Sequence, residues 1–66
     1  MKYAIRLIGS SDFLSSITEQ GICKFVHGWD NPCMILYSSE EATQPGLDAM
    51  EADGMCAMVE EMSHFA

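Results

Sequence analysis

Positive charge is scarce in this chain. Three Lys or Arg stand against ten Asp or Glu in 66 residues, a formal net charge of −7. Direct nucleic-acid binding requires a basic footprint, so that class of partner is excluded. Long apolar runs are missing too: the continuous run Cys33–Tyr37 falls far short of the ~20 residues a spanning helix needs, so no membrane role is expected. The opening Met1-Lys2-Tyr3-Ala4-Ile5-Arg6-Leu7-Ile8 interleaves charge with apolar residues, unlike a secretory leader, and a cytoplasmic protein is expected. Cysteine is sparse and odd in number (Cys23, Cys33 and Cys56) without a CxxC, which does not fit a disulfide framework. No Gly-rich phosphate loop, internal repeat or low-complexity tract occurs. What is present is an apolar fraction of 48%, too high for a disordered tail, and six methionines, flexible side chains suited to a core or an adaptable face. A single domain over residues 1–66 is expected.

Period-two alternation marks Lys2–Ile8 as a strand, with Tyr3, Ile5 and Leu7 on one side and Lys2, Ala4 and Arg6 on the other. After Gly9-Ser10-Ser11, the spacing of Phe13, Leu14 and Ile17 predicts a short helix capped by Ser10 or Ser11 and stopped by Gly21; a second strand is the alternative, because serines compete for backbone bonds. Ile22–His27 reads as a strand and Gly28–Pro32 as a turn carrying Trp29. Cys33–Tyr37 reads as a buried central strand, forming an antiparallel hairpin with Ile22–His27. Ser38 or Ser39 caps a helix opening on Glu40-Glu41, and Pro45-Gly46 interrupts it. From Leu47 onward, Met50, Met58, Met62 and Phe65 fall near one helical face. The competing reading turns at Asp53-Gly54 and begins a last strand at Met55. The expected fold class is α+β: a small antiparallel sheet of about three strands packed with one or two helices, or, as the alternative, a ferredoxin-like arrangement with a fourth strand at the C-terminus.

Charge is distributed unevenly. Residues 1–33 sum to zero, with Lys2, Arg6 and Lys24 against Asp12, Glu19 and Asp30. Residues 34–66 hold Glu40, Glu41, Asp48, Glu51, Asp53, Glu60 and Glu61 and no Lys or Arg. Solvated helices ordinarily mix signs, since Glu–Lys pairs four apart each stabilise by a few tenths of a kcal/mol. An acidic run of this kind is either a solubilising face or an anionic docking surface. On the second reading it fills a groove lined with Lys and Arg in place of nucleic acid, by fast, salt-sensitive attraction. The candidate partner-binding residues are Glu40, Glu41, Asp48, Glu51, Asp53, Glu60 and Glu61, with Trp29 as an aromatic anchor and Asp30 beside it extending an acidic rim.

The chemistry-bearing residues point elsewhere than catalysis. Glu40-Glu41 and Glu60-Glu61 are adjacent, so on a helix their side chains diverge by about 100° and form no acid/base couple. No catalytic residue, cofactor site or enzymatic activity is expected. Cys23-x3-His27, with Cys33, Cys56 and His64 farther off, lacks the two close ligand pairs of a zinc site, and no metal ligand is assigned. A small thiol- or metal-stabilised domain is kept as a further alternative.

With its short opening strand Lys2–Ile8, compact α/β pattern and unrelieved acidic stretch Glu40–Glu61, the whole chain resembles the small acidic proteins of bacteriophages and mobile elements, the anti-CRISPR proteins in particular. The resemblance lies in overall character, and no motif carries a functional residue across. It implies an inhibitor that binds a CRISPR surveillance (Cascade) complex of a type I system, subtype I-C among them, in the host bacterial cytoplasm. Blocking of target DNA by mimicry of nucleic acid is the implied mechanism. The alternative is an acidic phage-encoded inhibitor or regulator of another host nucleic-acid enzyme, such as a polymerase or nuclease.

Overall fold

The computed structural model describes residues 1–65. Four strands, β1 (Tyr3–Leu7), β2 (Asp12–Ile17), β3 (Cys23–His27) and β4 (Ala57–Glu61), form one antiparallel sheet in the order β3-β2-β1-β4. Among the described residues one α-helix, α1 (Gln44–Ala52), follows a 3₁₀ turn at Glu41–Thr43. The α+β class holds, and so does the fourth, C-terminal strand of the alternative. The helix expected between the first two strands is absent, so the element order is not that of a ferredoxin-like fold.

Three local expectations are corrected. Residues 12–17 form strand β2 rather than a helix. Phe13 and Leu14 are adjacent and both fully buried, one in each of two separate core clusters. Adjacent residues project to opposite faces of a strand, so a sheet covered on both sides buries both, which one amphipathic helix face does not. Ser15 and Ser16 are absorbed by an irregularity in the register between Leu14 and Ser16.

The run Cys33–Tyr37 is not a strand, and its expected hairpin with Ile22–His27 does not form: β3 pairs with β2. Instead the run wedges between the diverging ends of β1 and β2, which meet at Arg6–Phe13. Ile35 N–H donates to the Leu14 carbonyl at 2.9 Å, while Tyr3 and Tyr37 exchange both backbone bonds at 2.9 and 2.8 Å. An apolar stretch with no alternation meets core on both sides there, which is why it resembles a central strand in sequence.

Beyond Leu47 the helix stops at Ala52 instead of running on to Phe65. Gly54 takes φ +76°, the Met55 N–H donates to the Met50 carbonyl and the Gly54 N–H to the Glu51 carbonyl, each at 2.9 Å. This is a Schellman closure, and Met55 completes it by packing on the same core cluster as Met50. The chain then reverses into β4, as the competing reading of Asp53-Gly54 holds. At the other end, Ser39 Oγ accepts the Ala42 N–H at 3.2 Å and Pro45 sits in the first turn of α1.

The sheet has two differently covered sides. On the helix side, Ile5, Leu14 and Cys23 pack under Met50 of α1, with Leu47, Tyr37 and Phe25 around them. On the opposite, loop side, Ala4 and Phe13 are covered by Met34, Leu36, Met62 and Phe65, all from irregular segments. Gly46 sets the helix–sheet distance: a Cβ there would stand 2.6 Å from Ile5 Cδ1 and 3.1 Å from Leu14 Cδ2.

Candidate functional site

Strand phase assigns the charged side chains of the strands to a side of the sheet. Tyr3, Ile5 and Leu7 alternate toward α1, so Lys2, Ala4 and Arg6 project to the loop side. On β3, Cys23 and Phe25 belong to the helix-side core and Val26 to the loop-side core, which puts Lys24 on the loop side as well. All three Lys and Arg residues therefore leave the sheet on the face away from α1.

The nominated acidic residues divide between the two sides. Glu40, Glu41, Asp48, Glu51 and Asp53 are exposed on the 3₁₀ turn, on α1 and in the turn that follows it. Glu61 pairs in register with Tyr3 and projects to the helix side. Among the described residues, none of these six lies within 4.0 Å of a Lys, Arg or His nitrogen. The Gln44 amide Nε2 donates to Asp48 Oδ1 at 2.8 Å, and the Asp53 carboxylate stands beside the Cys23 thiol. The structure thus places six of the nine nominated residues on the side that receives no Lys or Arg.

Glu60, Asp30 and Trp29 lie apart from that group. Glu60 pairs in register with Ala4 and so projects to the loop side, where the Arg6 guanidinium donates through Nε to Glu60 Oε1 at 2.9 Å. This pair is only 18% and 20% exposed, dry enough to persist. Arg6 also donates through Nη1 to the Ser10 carbonyl at 2.9 Å, and its Cζ stands 5.7 Å from the Trp29 ring centroid, a cation–π arrangement. Trp29 meets Phe13 edge-on at 5.1 Å, and its carbonyl is held by His64 Nε2 at 2.6 Å. The indole stays 44% exposed, with exposed Asp30 next to it on the loop. Trp29 is thus fixed in place on the side opposite the acidic helix layer.

Burial raises the Cys23 thiol above its ordinary pKa, and the nearby Asp53 carboxylate raises it further. Cys33 and Cys56 are exposed free thiols. Cys23 and His27 share a side of β3, but His27 Nδ1 hydrogen-bonds Asp12 Oδ1 at 3.0 Å across the β2–β3 ladder. No three His, Cys, Asp or Glu residues among those described are close enough together to hold a metal ion. The described residues enclose no pocket, and none of their helices is long and apolar enough to cross a membrane. The described surface offers charge and backbone, not a cavity.

Comparison with protein-family models, with curated proteins and with solved structures finds no match for the chain.

Sequence reasoning missed two features. Arg6 neutralises Glu60, although the two are 54 residues apart. The other is the common phase of Lys2, Arg6 and Lys24, which was visible in the alternation of the two strands once both were referred to a single sheet.

Proposed function

We propose that this protein is an anti-CRISPR-like inhibitor. Its helix side docks on the basic, DNA-binding surface of a type I CRISPR surveillance complex, subtype I-C being the first target to test, and blocks target DNA in the bacterial cytoplasm. The observation that carries the reading is the segregation of charge: six carboxylates without an ionic partner on one side, and every Lys and Arg on the other. Within a Debye length of about 8 Å at physiological salt such carboxylates reinforce one another. The cost in self-repulsion is recovered when a cationic groove closes over them.

The test is electrophoretic mobility of a matched target duplex with purified type I-C Cascade, with and without the protein. Inhibition is expected to weaken as salt rises. The triple variant Asp48→Lys, Glu51→Lys, Glu61→Lys is expected to abolish inhibition while keeping the circular dichroism of the parent, since all three side chains point to solvent. Undiminished inhibition by that variant, or inhibition indifferent to salt, overturns the reading. Inhibition of a host polymerase or nuclease in place of Cascade moves the same surface to a different target.

A further inference from the structure

Strand β4 lies at an edge of the sheet, bonded to β1 on one side. Its phase is set at both ends: the Ile8 N–H donates to the Cys56 carbonyl at 2.9 Å and the Met62 N–H to the Lys2 carbonyl at 2.8 Å. Hydrogen-bonded pairs recur at every second position of an antiparallel ladder, so Met58 and Glu60 turn their backbone groups toward Arg6 and Ala4. The N–H and C=O groups of Ala57, Val59 and Glu61 consequently point away from the sheet. β1 carries the complementary phase, for Tyr3 directs both of its backbone groups to Tyr37 on its other flank.

Edge strands are usually blunted by proline, a bulge, a covering element or charge. β4 has no proline, its register with β1 runs without a shift from Ala57 to Glu61, and no backbone bond among the described residues covers its outer side. Charge alone protects it, and Arg6 draws one of its two carboxylates, Glu60, onto the loop side. Glu61 remains on the helix side, where α1 packs against β4 and Asp53 stands in the turn leading into the strand.

We infer that the β4 edge receives an extended, Lys- or Arg-bearing segment of the target protein as a fifth strand. Main-chain bonds form to Ala57, Val59 and Glu61, and cationic side chains meet Glu61 and the carboxylates at the end of α1. Charge argues against a second copy as the occupant. Antiparallel pairing of two β4 edges sets two acidic helix sides next to each other on one face of the joined sheet, with no Lys or Arg between them. The inference rests on the proposed function and names the contact by which that surface grips its partner.

Hydrogen–deuterium exchange of the protein, free and bound to purified type I-C Cascade, tests it together with the variants Val59→Pro and Val59→Ala. The Val59 N–H points outward and its side chain lies outside both core clusters, so proline removes no bond to β1, and edge strands tolerate proline. The expected result is slowed exchange over residues 56–62 in the complex, binding weakened about tenfold or more by Val59→Pro, and near-parental binding by Val59→Ala. Unprotected 56–62 in a complex that does form, or parental binding by a folded Val59→Pro, overturns this inference and leaves the proposed function standing. If Val59→Pro fails to fold, the exchange pattern of the parent protein decides alone. Protection of 56–62 in a dimer of the free protein overturns it in favour of self-pairing, and a parent protein that does not bind Cascade overturns both readings.

Discussion

The two sides of the sheet bury similar apolar residues by different means. On the helix side one regular element, α1, is drawn close through Gly46, and the charges it carries outward are all negative. On the loop side two irregular segments, residues 28–40 and 62–65, close over Phe13 and Ala4, and polar contacts of Arg6 with Glu60 and Ser10 and of His64 with the Trp29 carbonyl tie them down. The contrast shows where the cations went. Arg6 secures a side that has no helix to secure it, while the helix, held by packing and a Schellman closure, does without cationic partners. The paired cation and the carboxylates without an ionic partner are thereby separated onto opposite faces of one sheet.

Breaking the helix side should have the largest effect. Gly46→Ala places a methyl group 2.6 Å from Ile5 Cδ1 and 3.0 Å from Tyr37 Oη, so these side-chain ends have to shift within a fully buried core. Overpacking of this kind costs about 1–3 kcal/mol, against which alanine's better helix propensity returns up to ~1. Urea denaturation should register a net loss of about 1 kcal/mol, and a melt a fall of several degrees for a domain of this size. A variant as stable as the parent would mean that α1 rides higher over the sheet than this packing describes.

On the loop side a double-mutant cycle of Arg6→Ala and Glu60→Ala should give a coupling of about 1 kcal/mol, between the values of exposed and buried ion pairs. The sole tryptophan supplies an independent reading. Removing the guanidinium 5.7 Å from its ring should expose the indole further and shift its emission to the red. A coupling near zero with unchanged emission would reduce Arg6 to an ordinary surface cation and dissolve the contrast between the two sides.

How much of this was legible beforehand depended on whether one face or two were buried. β1 alternates strictly and was readable at once. β4 was readable only as a choice, because Ala, Met and Glu favour helix while Asp53-Gly54 signals a turn, and no local propensity decides between them. Phe13-Leu14 and Cys33–Tyr37 misled for a single reason: apolar residues that meet core on both sides lose the alternation that distinguishes a strand. The acidic residues of the 3₁₀ turn and α1 could be nominated from composition, since surface position follows from charge. The detachment of Glu60, Asp30 and Trp29 from them could not, because it depends on strand phase and on a pairing between residues 6 and 60.

The thiols give the smallest effect and separate buried from exposed surface within the helix side itself. Cys23 is held above the ordinary thiol pKa by burial first and by Asp53 second, so its proton is bound more tightly in the folded chain than in the unfolded one. Stability owed to this group is complete below the unfolded thiol's pKa and is lost as pH climbs through the higher, folded value, from about pH 9 upward. Cys23→Ala should flatten that alkaline decline relative to the parent; the Tyr37 phenol, also raised by burial, contributes the remainder at higher pH. Alkylation followed by mass spectrometry at mildly alkaline pH should modify Cys33 and Cys56 well before Cys23, and Asp53→Asn should bring the Cys23 rate partway toward theirs. Equal rates at all three thiols would show that the cover α1 and its closing turn give Cys23 opens too readily for that side to be the rigid platform that the proposed docking requires.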